Sequence, residues 1–207
     1  MAYDKALIAG KLRRWDKYLI SYRLPTWEEI PDIGLYMEQV ILLLKQYLDY
    51  LPPDIKEEQY ITAAAINNYV RTKIMPEPVK KRYYRVHMAY MIIIFTLKQS
   101  LSIATVKNII PMDISEDEVK EIYSNFALRQ KLSSEYLREQ IRLSAGKILD
   151  HNPDESSILT SEDTGDIVIS SAIIGGLLRI FAEKLLLLKD LDLESGGAIE
   201  PLDNTDK

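Results

Sequence analysis

The segment from Val86 to Leu97 constrains the fold of this chain more than any other, because it is apolar around almost its whole circumference when drawn as a helix. A helix that is apolar on every side is stable only when other elements surround it. The chain has 207 residues, of which 47% are hydrophobic, so it is long enough to build a sizeable core around that helix. We therefore predict a mainly α-helical protein with this helix at its centre.

Apolar residues at helical spacing predict further helices before and after this segment. We expect them at 4–21, 35–51, 62–72, 102–110, 115–132, 133–150 and 167–189. Thr62 has the hydroxyl expected of a helix N-cap, and Ser115 with Glu118 forms a capping box. Ser133 or Ser134 is predicted to cap the following helix. Prolines, which lack the amide hydrogen, end several of these elements.

The short stretch from Val79 to Arg85 differs from its helical neighbours. It is basic and aromatic, and Pro76 and Pro78 precede it. Short segments of this composition, bounded by prolines, favour extended structure. We predict a small β-hairpin or extended wing here.

Charge is unevenly distributed along the chain. The net charge of the whole chain is −5, which argues against a nucleic-acid partner. Residues 71–85, however, contain six cations and the single acid Glu77, a local charge of +5, so the remainder carries −10. The cations are Arg71, Lys73, Lys80, Lys81, Arg82 and Arg85. A basic patch on an otherwise acidic protein is typical of a surface that meets an anion.

The predicted helix at 62–72 presents amides and a guanidinium on one face. At 100° per residue, Asn67, Asn68 and Arg71 point away from the face that carries Ile66 and Tyr69. Asn binds the edge of adenine with two hydrogen bonds and Arg does the same for guanine, so this face has the chemistry to read the major groove. The alternative is a solvated polar face with no partner.

The sequence from Ile61 to Ile110 resembles the MerR type of winged helix. The matching features are Tyr69 near the end of the polar helix, the break Ile74–Pro76, the wing Arg82–Arg85, and the apolar run His87–Leu97. Leu101 and Ile103 resemble the apolar residues of the short helix pair that follows such a wing. The chain also resembles an uncharacterised bacterial family with a domain of unknown function, through Leu24–Ile33 and Ile66–Val70.

This resemblance implies a winged helix-turn-helix unit with a short β wing and a double-stranded DNA partner. It assigns DNA contacts to Asn67, Asn68, Arg71, Lys80, Lys81, Arg82 and Arg85. Lys73, Tyr84 and His87 lie beside these residues in the sequence and complete the candidate set. The helix before the polar helix ends ten residues earlier, so either a longer loop joins the pair or a different helix fills that role.

Other kinds of chemistry find little support in the sequence. The absence of cysteine excludes disulfides and thiolate metal sites and fits a cytoplasmic location. Only His87 and His151 are available for histidine chemistry, and no nucleotide-binding or zinc-hydrolase motif occurs. Charges interrupt the most apolar segment, Ile167–Leu188, and its uncharged run is well short of the about 20 residues that a membrane span requires. We predict no enzyme activity, cofactor, metal site or membrane segment.

The last predicted helix contains two consecutive glycines, which each cost about 1 kcal/mol relative to alanine in a helix. Close helix packing is the obvious compensation. One interpretation is a homodimer seam formed by Ile173, Gly176, Leu177 and Ile180. The other interpretation is burial of the same residues inside the monomer's own core.

These observations together predict four regions and one function. The regions are an N-terminal helix pair at 1–53, a winged-helix unit at 54–111, a C-terminal helical region at 112–190 and a disordered acidic tail at 191–207. The predicted function is sequence-specific DNA binding by a dimeric bacterial transcriptional regulator. The alternative is a helical module that binds a protein or a small ligand and contacts no nucleic acid.

Overall fold

A computed structural model describes residues 5–49, 60–149, 164–188, 191–192 and 194–196. Within these ranges the chain forms seven α-helices and no β-strand longer than an isolated bridge. The helices are α1 Lys5–Ser21, α2 Met37–Tyr47, α3 Ala63–Arg71, α4 Arg85–Leu97, α5 Ile103–Ile109, α6 Glu116–Leu149 and α7 Thr164–Leu187. The prediction of a mainly α-helical protein is confirmed.

Helix α4 lies at the centre of the fold, as its sequence predicts. Every residue from His87 to Leu97 is buried. Helices α2, α6 and α7 all pack against it. A single cluster of buried side chains runs from Leu12 in α1 to Ile180 in α7, so one core joins the N-terminal and C-terminal helices.

Helix α6 is one continuous helix of 34 residues, so the prediction of two helices divided near Ser133 is wrong. Its start agrees with the prediction: Ser115 N donates to Glu118 Oε2 at 2.8 Å, and Glu118 N donates to Ser115 Oγ at 3.3 Å. The buried positions recur every three or four residues without a break. They are Val119, Tyr123, Phe126, Gln130, Ser133 and Leu137. Ser133 therefore faces the core and caps nothing.

Helix α7 buries the four candidate seam residues within the chain itself, as the second interpretation of these residues predicts. Ile173, Leu177 and Ile180 belong to the chain's own core. Ser100 Oγ donates to the Ala172 carbonyl at 2.7 Å, and a Cβ added to Gly176 would lie only 2.9 Å from Ser100 Oγ. The glycine thus allows α7 to approach the end of α4 closely, which is the packing that compensates for its helix cost.

An irregular segment at 22–36 crosses the core before α2. Tyr123 Oη donates to the Pro25 carbonyl at 2.7 Å, and the rings of Trp27 and Tyr123 lie 6.2 Å apart. At its far end Leu35 pairs with Tyr83 through two backbone hydrogen bonds of 2.8 and 2.9 Å. This pairing joins the residues before α2 to the basic stretch before α4.

Parts of several sequence predictions lie outside the described residues, among them the end of the helix predicted at 35–51 and most of the tail at 191–207. The described part of that tail forms a turn in which Asp192 Oδ1 accepts hydrogen bonds from the amides of Glu194 and Ser195. Among the described helices none is long and apolar enough to cross a membrane.

Candidate nucleic-acid interface

Helix α3 presents a polar face to solvent. Thr62 caps it as predicted, since its Oγ1 accepts a hydrogen bond of 3.1 Å from Ala65 N. Asn67 and Arg71 are exposed and Asn68 is half-buried. Arg71 Nη2 donates to Asn68 Oδ1 at 2.7 Å, which orients the guanidinium and leaves its other donors available.

The opposite face of α3 fastens the helix to α4 through Tyr69. Its ring meets Phe95 edge-on with the centroids 5.4 Å apart. Lys98 Nζ lies 5.8 Å from the centroid of the same ring. Burial raises the pKa of Tyr69 to about 12, so the residue stays neutral. The polar face of α3 therefore stands on a well-packed base.

The chain leaves α3 through Lys73 in a left-handed conformation with φ of 54°. The amide of Lys73 donates to the Val70 carbonyl and that of Ile74 to the Tyr69 carbonyl, both at 3.0 Å, which closes the helix end. Ile74 and Met75 are buried directly afterwards. The side chain of Lys73 is left exposed beside the end of α3.

The predicted wing consists of a two-residue turn, and no strand flanks it in the described part of the chain. Val79 and Arg82 exchange two backbone hydrogen bonds of 3.0 Å across it. The central residues Lys80 and Lys81 have φ of 49° and 61°. Positive φ at both central positions defines the type I′ hairpin turn, where Asn-Gly is the favoured pair. We call residues 79–82 the lysine turn; both of its lysines are exposed.

Arg82 holds the lysine turn against the segment before α2. Its Nη1 donates to the Gly34 carbonyl at 3.0 Å and its Nη2 donates to Tyr36 Oη at 2.6 Å. The guanidinium carbon also lies 4.2 Å from the centroid of the Tyr36 ring. Two guanidinium nitrogens are thus engaged within the protein, so Arg82 positions the turn and is a weaker candidate for a direct DNA contact.

Gly34 makes this approach possible. A Cβ at position 34 would lie 2.6 Å from Arg82 Cδ and 3.2 Å from Tyr84 Oη. A contact of 2.6 Å essentially never occurs between real side-chain atoms, so any larger residue would push Arg82 away. Sequence reasoning missed Gly34 and Tyr36, because nearly fifty residues separate them from Arg82 and no local pattern connects them.

Arg85 is anchored in a similar way. Its Nε donates to the Ile30 carbonyl at 2.9 Å, and its guanidinium carbon lies 5.7 Å from the ring of Trp27. Tyr84, between the two arginines, is half-buried. The predicted contact residues therefore separate into an exposed group and an anchored group. The exposed group is Asn67, Arg71, Lys73, Lys80 and Lys81.

His87 was predicted as a DNA contact, and its surroundings remove it from the candidate set. It is buried, its Nδ1 accepts from Tyr84 N at 3.0 Å, and its Nε2 lies 2.9 Å from the Glu77 carbonyl. Burial lowers the pKa of His87, so the neutral ring uses Nε2–H as the donor to Glu77. His87 fixes the two ends of the segment that carries the lysine turn.

The described residues include no group of three or more His, Asp or Glu side chains arranged to hold a metal ion. Fold and surface together define a mainly helical protein with a short polar helix and an exposed cationic turn. Residues 25–126, just under half of the chain, match the family model described as Domain of unknown function (DUF1836). The predicted resemblance to a family with a domain of unknown function is confirmed. No curated protein and no solved structure matches the chain.

Proposed function

We propose that this protein binds double-stranded DNA sequence-specifically through a winged-helix unit of the MerR type and regulates transcription. In this proposal α3 enters the major groove, where Asn67 and Arg71 read base edges. The lysine turn is the wing, and Lys80 and Lys81 contact backbone phosphates. Phosphate contacts fix the orientation of the protein while base contacts select the sequence.

The observation that carries the proposal is the lysine turn. Two exposed lysines stand side by side in left-handed conformations at the tip of a two-residue turn. A left-handed residue other than glycine costs about 1–2 kcal/mol. Two lysines are therefore less stable at these positions than the Asn-Gly pair that would reverse the chain equally well. A role for the two charges explains the choice, and phosphate is their natural partner.

The anchoring of the turn supports the same function. Arg82 donates hydrogen bonds to Gly34 and Tyr36, and Arg85 donates one to Ile30. The two lysines therefore project from a rigid base. A rigid base reduces the entropy lost when the turn meets DNA. Helix α2 packs against α3, which supports it as the first helix of a helix-turn-helix pair despite the long connection between them.

Selection from random duplex DNA followed by fluorescence anisotropy tests the proposal. The key variant is Lys80→Asn/Lys81→Gly, because Asn-Gly is the favoured type I′ pair and removes both charges while keeping the turn. Its affinity should fall equally for the selected duplex and for a scrambled duplex. The slope of log affinity against log salt should flatten by about two, since each lysine contributes about one.

The second variant is Asn67→Ala, which should weaken binding to the selected duplex by about 1–3 kcal/mol and leave the scrambled duplex unaffected. The matched control is Lys17→Ala/Lys131→Ala, which removes two exposed charges from α1 and α6 and should leave both affinities unchanged. The proposal fails if no duplex is enriched, or if the turn variant and the control variant bind alike.

A further inference from the structure

A second surface feature lies beside the lysine turn and is not used in the proposed function. A groove of about 610 Å³ opens between the end of α3, the chain before the turn, and the end of α5. Its volume lies in the range of sites for small molecules. Its apolar lining is Val70, Met75, Pro76, Ile110 and Met112.

Four charged residues also line this groove: Lys73, Glu77, Lys107 and Asp113. Within the described residues these charges form no ion pair with one another or with any other side chain. Two cations and two carboxylates thus share one groove without neutralising each other. A simple anion would meet the carboxylates, and a simple cation would meet the lysines.

Hydrogen bonds hold the backbone near Lys73, Glu77 and Asp113, and another engages the side chain of Lys107. The Lys73 amide donates to the Val70 carbonyl at 3.0 Å, and the Glu77 carbonyl is bound by His87. Lys107 Nζ donates to the Thr72 carbonyl at 3.0 Å. The loop before Asp113 is held by Tyr90, whose hydroxyl donates to the Pro111 carbonyl at 2.8 Å. Such support is typical of a site arranged before its ligand arrives.

We infer that the groove binds a small zwitterionic ligand with an apolar body, the chemistry of a hydrophobic amino acid or a dipeptide. The ligand's carboxylate pairs with the lysines and its ammonium pairs with Glu77 and Asp113. Its side chain covers the half-buried Pro76 and Met112. A ligand with both charges can pair with the lysines and with the carboxylates of the lining, whereas a ligand with one charge meets like charges as well as opposite ones.

Calorimetric titration of the full chain, without DNA, tests this inference separately from DNA binding. The probes are L-leucine and L-leucyl-L-leucine, which carry the same two charges at different spacing. N-acetyl-L-leucine keeps only the negative charge, L-leucinamide keeps only the positive charge, and glycine lacks the apolar body. Each of these three should bind at least about tenfold more weakly than the better zwitterion, a loss of about 1.4 kcal/mol.

Two variants locate the binding. Lys73→Asn keeps a residue that tolerates the left-handed conformation, and Glu77→Gln keeps the size of the side chain. Each should weaken the better probe by about tenfold or more, as expected for the loss of one charged hydrogen bond. Glu121→Gln, an exposed change on α6, is the matched control and should bind like the parent.

Two results would overturn the inference. One is the absence of heat from both zwitterionic probes up to about 10 mM, well above the range of specific small-ligand affinities. The other is binding that the Lys73 and Glu77 variants leave unchanged, which would place the ligand elsewhere. Circular dichroism of both variants establishes that they are folded before the titrations are interpreted.

Discussion

Two regions were predicted to be binding surfaces, and they differ in exposure. The α3 face and the lysine turn are exposed, whereas the candidate residues of helix α7 are buried. Residues 71–85 are cationic, and the structure leaves Arg71, Lys73, Lys80 and Lys81 exposed. Helix α7 is apolar, and it buries Ile173 and Ile180 within its own chain. An apolar helix is satisfied by any apolar neighbour, whereas a group of like charges gains nothing from folding and keeps its attraction for an external partner.

Substitution of a buried residue in α7 should have a larger effect on stability than any other change considered below. Ile180→Ala should lower the free energy of unfolding by about 2–5 kcal/mol, because Ile180 has no exposed surface and its loss leaves a cavity. Denaturant unfolding measures the change. Leu178→Ala, at an exposed position of the same helix, should change stability by less than about 0.5 kcal/mol. A midpoint that rises with protein concentration would restore the dimer seam instead.

The base of the lysine turn gives the next largest effect. Gly34→Ala places a Cβ 2.6 Å from Arg82 Cδ and should destabilise the fold by about 1–3 kcal/mol, as overpacking does. Much of this cost should disappear in the background of Arg82→Ala, because Arg82 Cδ, the atom nearest to the new Cβ, is then absent. Denaturant unfolding of the two single variants and the double variant measures the coupling. Strictly additive effects would show that the contact between Gly34 and Arg82 is unimportant.

Substitution of the two lysines at the tip of the turn should change stability and DNA affinity in opposite directions. Lys80→Asn/Lys81→Gly replaces two left-handed lysines by the favoured pair, so the free energy of unfolding should rise by up to about 1 kcal/mol. DNA affinity should fall in the same variant because two cations are lost. Thermal unfolding and anisotropy measure the two quantities. Loss of stability in this variant would mean that the lysine side chains hold the turn together.

The smallest expected effect concerns pH and His87. Burial lowers the pKa of His87 below the ordinary value of 6.5, so its stabilising contribution is complete above that pH. Below pH 6.5 the unfolded chain takes up the proton first, and stability falls with decreasing pH until the folded pKa is passed. One group contributes at most about 1.4 kcal/mol per pH unit.

Denaturant unfolding at pH 7.5 and pH 5.5 measures this effect. The difference between the two pH values should be smaller in His87→Gln than in the parent, because other titrating groups affect both proteins equally. Equal differences in the two proteins would show that the pKa of His87 is the same in the folded and the unfolded chain.

Local signals in the sequence predicted several elements well. The N-cap at Thr62 and the capping box at Ser115 depend on residues three apart, and both are present in the structure. The central helix α4 was predicted because its apolar character leaves no solvated face. The domain of unknown function was predicted from two short stretches, one at Leu24–Ile33 and one at Ile66–Val70.

Other predictions failed where distant residues decide the outcome. Two serines at 133 and 134 have the composition of a helix cap, yet both are buried in the middle of α6 because the core-facing positions continue past them. His87 was placed among the DNA contacts because it is polar and near the turn. Both nitrogens of its ring are instead hydrogen-bonded to backbone groups of the protein.

The sequence alone determined which segments are helical and where the positive charge gathers, because both depend on residues a few positions apart. Tertiary structure decided what each surface meets. It buried the apolar face of α7 against its own chain, and it turned Arg82 and Arg85 inward while Lys80 and Lys81 stayed exposed. The reason is physical: the partners of these side chains lie tens of residues away, and only the packed core brings them within hydrogen-bond distance.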